Sequence, residues 1–317
     1  GQLLPKKEMP LSEGIQNGSI HPEVISVWLP LDENADENEV IAMYERLAAG
    51  FEQQNPGCGV NVRIYADDSF TETLSLLDKA EEVPVVFMDT QDAVVQAHAA
   101  DISSLTAALE DVYTADLTQF DTAVPLGCSV PVLFYNAHYS SSLQTMDADT
   151  ILFDSLPANT VFDISATEFV TTQDAAQKPT AQFQDFLQDG HYPVLASSSC
   201  MAQAEHSGIS SGVVHMMPVV ADGSVSVQYE MYCTVNQDAT PNSQRVGMLW
   251  LRYLLTEEAQ QILFVEHYSD LPLHKAVLPH TLENHKALQA VGSVLGISPK
   301  TEEITTTQEG GQDDAME

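Results

Sequence analysis

The 317-residue sequence has few basic residues: 11 Lys and Arg stand against 46 Asp and Glu, which gives a formal net charge of −35. A surface this negative repels phosphate backbones and anionic lipids, because binding to either depends on Lys and Arg. The deficit argues against nucleic acid and against charged membrane surfaces as partners. We expect an acidic protein that acts on a small molecule or on a partner protein.

The sequence also lacks long apolar runs, cysteine motifs and catalytic motifs. No stretch approaches 18 consecutive apolar residues, so no segment is expected to span a bilayer. The four cysteines have no C-x-x-C spacing, which argues against a zinc ribbon or redox motif and favours free thiols. There is no P-loop, G-x-G-x-x-G or G-x-S-x-G motif, and the ten histidines have no short metal-binding spacing. We therefore predict no catalytic residue, no metal and no cofactor.

What the sequence does contain, between residues 21 and 298, is an alternation of strand and helix patterns. Apolar residues follow a helical period from about Asn38 to Gln54, and Asn55-Pro56-Gly57 ends this helix. Apolar runs on either side predict strands at Val24–Leu29, Val60–Ile64 and Val83–Met88. The resulting β-α-β-α-β order predicts a parallel sheet with helices on both faces.

The remainder of the chain is less regular. A capping box at Ser69–Glu72 predicts the start of another helix, and Pro241 opens a helix that buries Trp250. A further helix is predicted from Thr256 through Val265. The other predicted elements are a strand at Val124–Tyr135 interrupted at 127–129, a short helix ending at Gly190, and strands at Tyr192–Ala196, Val213–Val219 and Tyr229–Val235. Residues 1–20 and 299–317 are polar, which predicts a linker and a disordered tail.

Two polar loops, at residues 28–34 and 89–92, follow strands of the predicted parallel sheet. Such sheets bind ligands beyond the carboxyl ends of their strands, so both loops are candidate binding loops. Each loop also has a structural interpretation. The loop from Asp32 to Glu37 can be a solvated loop that caps the next helix, and Asp89–Asp92 can supply an N-cap.

Four blocks of sequence occur in a defined order over residues 23–295. They are Val27-Trp28 followed by residues 51–62, then residues 83–89, residues 125–136, and residues 250–261 with 271–275. In this order the blocks resemble the extracellular solute-binding proteins of ABC importers, of the carbohydrate-binding type related to maltose-binding protein.

The resemblance implies an α/β protein with the two-lobe fold of type II periplasmic binding proteins. Each lobe would be a mixed sheet flanked by helices, with a ligand cleft between the lobes. Lobe one would comprise residues 21–130 and 216–275, and lobe two residues 136–212 and 280–298. The second lobe is shorter than in typical sugar binders.

The resemblance also implies which residues contact the ligand. Relatives often carry a stacking aromatic residue where this sequence has Cys200, and its loss makes an ordinary oligosaccharide a poorer candidate. Structural alternatives stay open, because Ser129 can serve the fold and the tyrosines can belong to the core. The implied ligand-binding residues are Trp28, Asp32, Glu33, Asp89, Thr90, Gln91, Ser129, Ser198, Ser199, Cys200, Tyr229, Glu230 and Tyr232.

Two functions follow from the resemblance. The first is an extracellular receptor that captures a sugar or related polar solute by lobe closure and delivers it to an ABC permease. Such a receptor would be a monomer, anchored to the cell surface through a segment that precedes residue 1. The second is a solute-binding fold repurposed as a ligand-sensing or protein-interaction domain of a larger surface protein. The shortened second lobe and Cys200 favour the second, and no pattern in the sequence supports an enzyme.

Overall fold

The computed structural model describes residues 19–80, 82–144, 146, 148–169, 180–206, 213–221, 223–285 and 288–295. The strands are β1 (Val24–Leu31), β2 (Gly59–Ala66), β3 (Val86–Phe87), β4 (Gly127–Ser129), β5 (Pro131–Asn136), β6 (Ile151–Leu152), β7 (Val161–Asp163), β8 (Thr180–Ala181), β9 (Val194–Ser197), β10 (Val214–Val220), β11 (Gln228–Glu230), β12 (Thr234–Val235) and β13 (Leu271–Pro272). The α-helices are α1 (Glu37–Gln54), α2 (Asp67–Ser75), α3 (Ala93–Ala97), α4 (Ser103–Ala108), α5 (Ser141–Gln144), α6 (Phe183–Asp189), α7 (Met201–His206), α8 (Pro241–Leu254), α9 (Glu257–Gln261), α10 (Leu278–Asn284) and α11 (Gln289–Val294).

The predicted tail and the first 18 residues of the predicted linker lie outside the described ranges. Ile20, at the end of that linker, is buried in the core. Within the described ranges, no helix combines the length and apolar content that a membrane crossing needs.

The predicted parallel sheet is present, with the strand order β12-β3-β1-β2. β1 pairs in parallel with both β2 and β3, so that Val27 lies opposite Val62 on one side and Val86 on the other. Its central residues are buried, whereas β2 at the edge is only partly buried, as its alternating pattern predicted. β12 closes the sheet antiparallel to β3. A strand from late in the chain, β12, therefore lies beside β3 at the edge of this sheet.

Helix α1 forms where the periodic pattern predicted it. The side chain of Asp36 caps its first turn by accepting hydrogen bonds from the backbone N–H groups of Asn38 and Glu39. Its buried face consists of Tyr44, Leu47 and Phe51. Helix α1 thus covers the sheet with the apolar stripe seen in the sequence.

The capping box predicted at Ser69–Glu72 is wrong. Helix α2 begins two residues earlier, at Asp67, and Ala66 at its N-cap makes no side-chain hydrogen bond. Asp67 and Asp68 place negative charge in the first turn, where the helix dipole stabilises it. The early start brings Asp67 to the carboxyl end of β2.

A second sheet has six strands in the order β6-β10-β5-β9-β7-β8. β5 is antiparallel to both of its neighbours, β10 and β9. β10 belongs to this sheet through Val220, because it pairs with β5 and then with β6. The predicted return to lobe one at residue 216 falls inside this strand, and the residue boundaries of the lobes stay a prediction.

The single interrupted strand predicted at Val124–Tyr135 is wrong. The segment Gly127–Ser129, predicted as an interruption, is itself strand β4, and the chain changes sheet at Val130. β4 lies between β11 and β13 in a third sheet, antiparallel to both. The strand predicted at Tyr229–Val235 is likewise two strands, β11 and β12, in different sheets. These two segments carry the chain between sheets.

Helix α8 is held on the first sheet by a nearly continuous apolar face. Trp250 is fully buried, with its ring centroid 5.4 Å from that of Phe51. Its indole N–H points to the sulfur of Met88 at 3.4 Å. Helices α1 and α8 and the end of β3 therefore share one core, as the predicted burial of Trp250 indicated.

The four cysteines are free thiols in the structure, and all four are buried. Burial is the main cause that raises the pKa of Cys128 and of Cys200 to about 12. These two thiols therefore stay protonated at physiological pH and are poor nucleophiles.

Gln260 of α9 connects three separate segments through one buried amide. Its Nε2 donates to the carbonyl oxygens of Leu126 (2.9 Å) and Leu254 (3.1 Å). Its Oε1 accepts from the backbone N–H groups of Leu273 (3.0 Å) and His274 (3.4 Å). The side chain thereby links the residue before β4 to the end of α8 and to the residues after β13.

We expect Gln260→Met to lower the free energy of unfolding by roughly 3 kcal/mol or more, because it leaves four buried backbone groups without this partner. Urea denaturation followed by circular dichroism measures the change. Gln261→Met is the matched control, since the neighbouring Gln261 is partly exposed; it should cost less than about 1 kcal/mol. Equal losses for the two variants would contradict the role of Gln260.

Candidate functional site

The candidate site lies where the chain passes between sheets, beside the carboxyl ends of β1 and β3. Thr90, in the loop after β3, donates its backbone N–H to the carbonyl oxygen of Tyr232 (3.2 Å). Leu126, just before β4, donates to the carbonyl oxygen of Glu230 (3.2 Å). Backbone hydrogen bonds therefore join the end of β11 and the segment after it to the loop after β3 and to the residue before β4.

Two strained backbone positions lie in these joined segments. Asp89 has φ 49° and Met231 has φ 54°, and they are the non-glycine residues with positive φ in the described part of the chain. Asp adopts positive φ more readily than most residues do, whereas Met rarely adopts it. Backbone strain of this kind concentrates at functional sites, so it supports a site at this junction.

Both polar loops cap the helices that follow them, as their structural interpretation predicted. Asp36 rather than Asp32 or Glu33 caps α1, and Asp92 rather than Asp89 caps α3. The carboxylates of Asp32 and Glu33 are exposed. Three of the predicted site residues are thus not used as helix caps.

Thr90 and Gln91 make local contacts in the turn before α3. The hydroxyl of Thr90 accepts from the backbone N–H of Asp92 (3.1 Å), and the carbonyl oxygen of Gln91 accepts from the side chain of Gln96 (3.0 Å). The contact of either side chain with a ligand stays a prediction.

Asp89 lies in a strongly negative environment. Solvent reaches its side chain, yet the surrounding protein is dense enough that desolvation is the main cause that raises its pKa to about 7. The charges of Glu230, Asp67 and Asp32 raise this pKa further, in that order.

Asp67 extends the negative region toward the first loop. Desolvation raises its pKa, and the charges of Asp32, Glu33 and Asp68 act in the same direction. The carboxyl ends of β1, β2 and β3 therefore each contribute a carboxylate to one region. This convergence is what a parallel sheet imposes on the loops at one edge.

Glu230 is held in place by Ser129. The hydroxyl of Ser129, which is buried in β4, donates to a carboxylate oxygen of Glu230 at 2.8 Å. Asp270, just before β13, is buried nearby; burial raises its pKa well above the usual range, and Glu230 and Asp89 add to the effect. Ser129 therefore positions Glu230, and its own contact with a ligand stays a prediction. Within the described ranges, no three His, Cys, Asp or Glu side chains are arranged to hold a metal ion.

Three aromatic rings pack together near the segment between β11 and β12. The ring centroid of Phe120 is 5.1 Å from that of Tyr229 and 6.0 Å from that of Tyr232, both edge to face. All three side chains are partly exposed. Burial raises the pKa of Tyr232, with contributions from Tyr229 and Glu230. The site thus offers aromatic surface next to carboxylates.

Trp28 is buried in a small apolar cluster with Phe70, Leu74 and Val95 rather than open to solvent. Its ring packs edge to face with Tyr65 (5.3 Å between centroids) and Phe87 (6.2 Å), and 3% of the residue is exposed. Its indole N–H is buried and has no hydrogen-bond partner among the described residues. The residue supports the site, and its contact with a ligand stays a prediction.

The predicted lobe-two residues are engaged inside the fold. The Ser198 hydroxyl accepts from the backbone N–H of Val130 (3.1 Å), and the Ser199 hydroxyl donates to that of Ser197 (2.8 Å). The sulfur of Cys200 is buried, 3.6 Å from the hydroxyl of Ser165. These contacts are structural. Their role in ligand binding stays a prediction.

Sequence reasoning missed Asp67, Asp270 and Phe120. Asp67 carried a usable signal, because it follows a predicted strand at the same edge as the two nominated loops. Asp270 and Phe120 carried none, since both reach the site only through the pairing of β4 with β11 and β13.

No family model and no curated protein matches this sequence. Solved structures do match. UgpB from Mycobacterium tuberculosis, in complex with glycerophosphocholine, is 13% identical over 84% of this chain and 85% of that one, with a TM-score of 0.64. Maltose-bound MalE3 from T. maritima is 13% identical over 87% and 88%, with a TM-score of 0.61. The ABC substrate-binding protein Lmo0181 from Listeria monocytogenes, in complex with cycloalternan, is 13% identical over 87% of each chain, with a TM-score of 0.60.

These matches confirm the predicted fold class. The chain has the mixed α/β, two-lobe fold of the solute-binding proteins of ABC transporters, with several sheets flanked by helices. Identities of 11–15% establish the fold alone.

We expect Asp89→Asn to raise the melting temperature at neutral and alkaline pH and to leave it nearly unchanged at pH 4. The native carboxyl holds its proton up to a pKa of about 7, whereas an unfolded Asp releases it near about 3.9. Wild-type stability therefore falls as pH rises between these values, and Asn does not incur this loss. Asn also tolerates positive φ, so the backbone is preserved.

Differential scanning calorimetry from pH 4 to pH 8 measures the difference. The groups that face Asp89 are Glu230, Asp67, Asp32, Asp270, Cys233 and Tyr44. Asp154→Asn is the control, because it removes the same charge from an exposed position near the six-stranded sheet. A difference between Asp89→Asn and wild type that does not vary with pH would contradict the assignment.

Proposed function

We propose that this protein is the extracellular solute-binding receptor of an ABC importer, which captures a sugar or related polar solute between two lobes and delivers it to a permease. The observation that carries the proposal is the junction of the loop after β3 with the segment between β11 and β12. This junction lies where the chain passes between sheets, and polar and aromatic side chains converge there.

The fold supports the proposal. Similar structures include complexes of UgpB with glycerophosphocholine and of MalE3 with maltose, so this architecture holds polar solutes in other proteins. In this chain the partly exposed rings of Tyr229 and Tyr232 offer apolar surface, and Glu230 and Asp89 offer hydrogen-bond acceptors. A cleft with aromatic surface and a few convergent polar groups is typical of small-molecule sites.

The mechanism that we propose is a population shift. A solute that contacts groups on both lobes stabilises the closed arrangement, and the permease recognises that arrangement. The short crossing segment at Val130, between β4 and β5, is the natural hinge, since a single residue separates the third sheet from the six-stranded sheet there. Extracellular location, surface anchoring and a monomeric state are part of the same proposal.

The alternative is a sensing or interaction domain of a larger surface protein. It is favoured by the turn at Ser198–Cys200, where the side chains are committed to internal contacts and no aromatic residue is present. A receptor that has lost its lobe-two contacts would bind a partner in place of a transported solute.

The proposal predicts that a panel of sugars, amino acids and short peptides contains a ligand that raises the melting temperature. A ligand present at 100 times its dissociation constant should add about 2.7 kcal/mol of stability. The shift should disappear in Glu230→Gln and persist in Asp154→Asn. A ligand whose effect survives Glu230→Gln would contradict this site, and a flat response to the whole panel would favour the alternative.

Tryptophan fluorescence provides a second test of ligand binding at this site. The sequence has two tryptophans, and replacing one at a time shows which of them responds. Trp28 packs against Phe87 at the end of β3, two residues before Asp89, whereas Trp250 is fully buried in the core around α8. A ligand should change the emission of wild type and of Trp250→Phe, and leave that of Trp28→Phe unchanged. A change that depends on Trp250 would place binding elsewhere.

A further inference from the structure

We propose that Ser198 and Tyr268 clamp the crossing at Val130 and thereby hold the six-stranded sheet at a fixed angle to the third sheet. The inference rests on the hinge that the proposed function places at Val130, and it gives the turn after β9 a conformational role. When the lobes move about this crossing, the hydrogen bond between Tyr268 and Ser198 has to break. The clamp therefore sets how readily the two lobes change their arrangement.

Both backbone groups of Val130 are bound to Ser198. The N–H of Val130 donates to the Ser198 hydroxyl at 3.1 Å, and its carbonyl oxygen accepts from the Ser198 N–H at 2.9 Å. Both residues are fully buried. The neighbouring pair, Pro131 and Ser197, begins the ladder between β5 and β9, so these bonds extend that ladder into the crossing. Val130 is therefore fixed to the six-stranded sheet, and a bend at the crossing falls on its β4 side.

Tyr268 reaches the same turn from the other side of the crossing. It follows a π-helical turn at Ile262–Glu266 and precedes β13, which pairs with β4 in the third sheet. Its hydroxyl donates to the carbonyl oxygen of Ser198 at 2.8 Å, and the residue is 8% exposed. Ser198 is thus linked to the third sheet by two routes, through Val130 and through Tyr268. Two attachments at separate points resist a rotation that one attachment would permit.

The turn that supplies the acceptor is itself held in place. The Ser197 hydroxyl accepts from the backbone N–H and from the hydroxyl of Ser199, at 3.2 and 2.8 Å. The backbone N–H of Ser197 donates to the hydroxyl of Ser165 at 3.0 Å, and that hydroxyl donates to the carboxylate of Asp163, which is buried at the end of β7. Linked hydrogen bonds of this kind stiffen a buried region. The carbonyl of Ser198 is therefore a fixed acceptor, so a bond to it restrains the part of the chain that carries Tyr268.

Double electron–electron resonance measures whether the clamp restrains the lobes. Spin labels are attached at Glu45→Cys in α1 and at Asp154→Cys beside the six-stranded sheet, because both positions are exposed and the four native thiols are buried. Tyr268→Phe removes the hydroxyl and keeps the ring, whose centroid lies 4.9 Å from that of His285. Losing one hydrogen bond should raise the population of the minor lobe arrangement about twofold to tenfold, which broadens the distance distribution or adds a second distance.

Tyr113→Phe is the matched control. The Tyr113 hydroxyl is also buried and donates to a carbonyl oxygen, that of Leu255, at 2.9 Å. Its ring likewise packs against a histidine, His274, at 5.6 Å between centroids. Neither end of this bond belongs to the six-stranded sheet or to the turn after β9. The control should therefore lose comparable stability in urea and keep the wild-type distance distribution.

Amide hydrogen exchange followed by NMR tests the inner part of the clamp. Ser198→Ala removes the acceptor of the Val130 N–H and retains the backbone carbonyl that accepts from Tyr268. We expect exchange at Val130 to become about fivefold to a hundredfold faster, because a buried N–H is left without this partner. Ser199→Ala is the control, since it removes the neighbouring hydroxyl, which bonds to Ser197. Exchange at Val130 should then stay as in wild type.

Either measurement can overturn the inference, and neither depends on a ligand. The inference is wrong if Tyr268→Phe keeps the wild-type distance distribution, or if Tyr113→Phe changes that distribution as much. It is also wrong if Ser198→Ala leaves exchange at Val130 unchanged, or if Ser199→Ala accelerates it equally. In each of these cases a solute that raises the melting temperature would still support a receptor. A flat response to the solute panel, with distances that still change in Tyr268→Phe, would instead count against the proposed function and leave the clamp supported.

Discussion

The rest of the structure depends on the pairing of β4 along both of its edges. Gly127 and its neighbours pair with β11 on one side and β13 on the other, so segments distant in sequence meet at one short strand. A Cβ at Gly127 would lie 3.0 Å from the carbonyl oxygen of Leu271 and 3.0 Å from the ring of Phe264, so glycine is needed for this approach. The side chain of Gln260 also holds the residue before this strand in place, because it donates a hydrogen bond to the carbonyl oxygen of Leu126.

This arrangement concentrates unfavourable features at the candidate site. The pairing of β4 with β11 places Glu230 beside Ser129, and the pairing of β12 with β3 brings Tyr232 to Asp89. Carboxylates with raised pKa values and two strained backbone positions are thereby brought to one place. Such costs persist where the surrounding structure imposes them, and they are common at functional sites.

Local sequence patterns predicted some elements well and others badly. The helix from Glu37 to Gln54 and the burial of Trp250 followed from a periodic apolar face, which is a property of neighbouring residues. The strand at Val124–Tyr135 was predicted as one element because its apolar pattern is nearly continuous. The structure divides it at Val130, because the two halves pair with different partners, and pairing partners cannot be read from a local pattern.

The sequence by itself determined the parallel α/β sheet and nominated the loops after β1 and β3, because strand order and apolar periodicity are encoded locally. Its two-lobe fold was implied by the resemblance that four ordered blocks carry. The sequence also determined the excess of negative charge. Only the tertiary structure decided that Asp67, Asp89 and Glu230 share one region and that Ser198 and Cys200 turn inward. The physical reason is that burial, desolvation and charge compensation depend on groups brought together from distant parts of the chain.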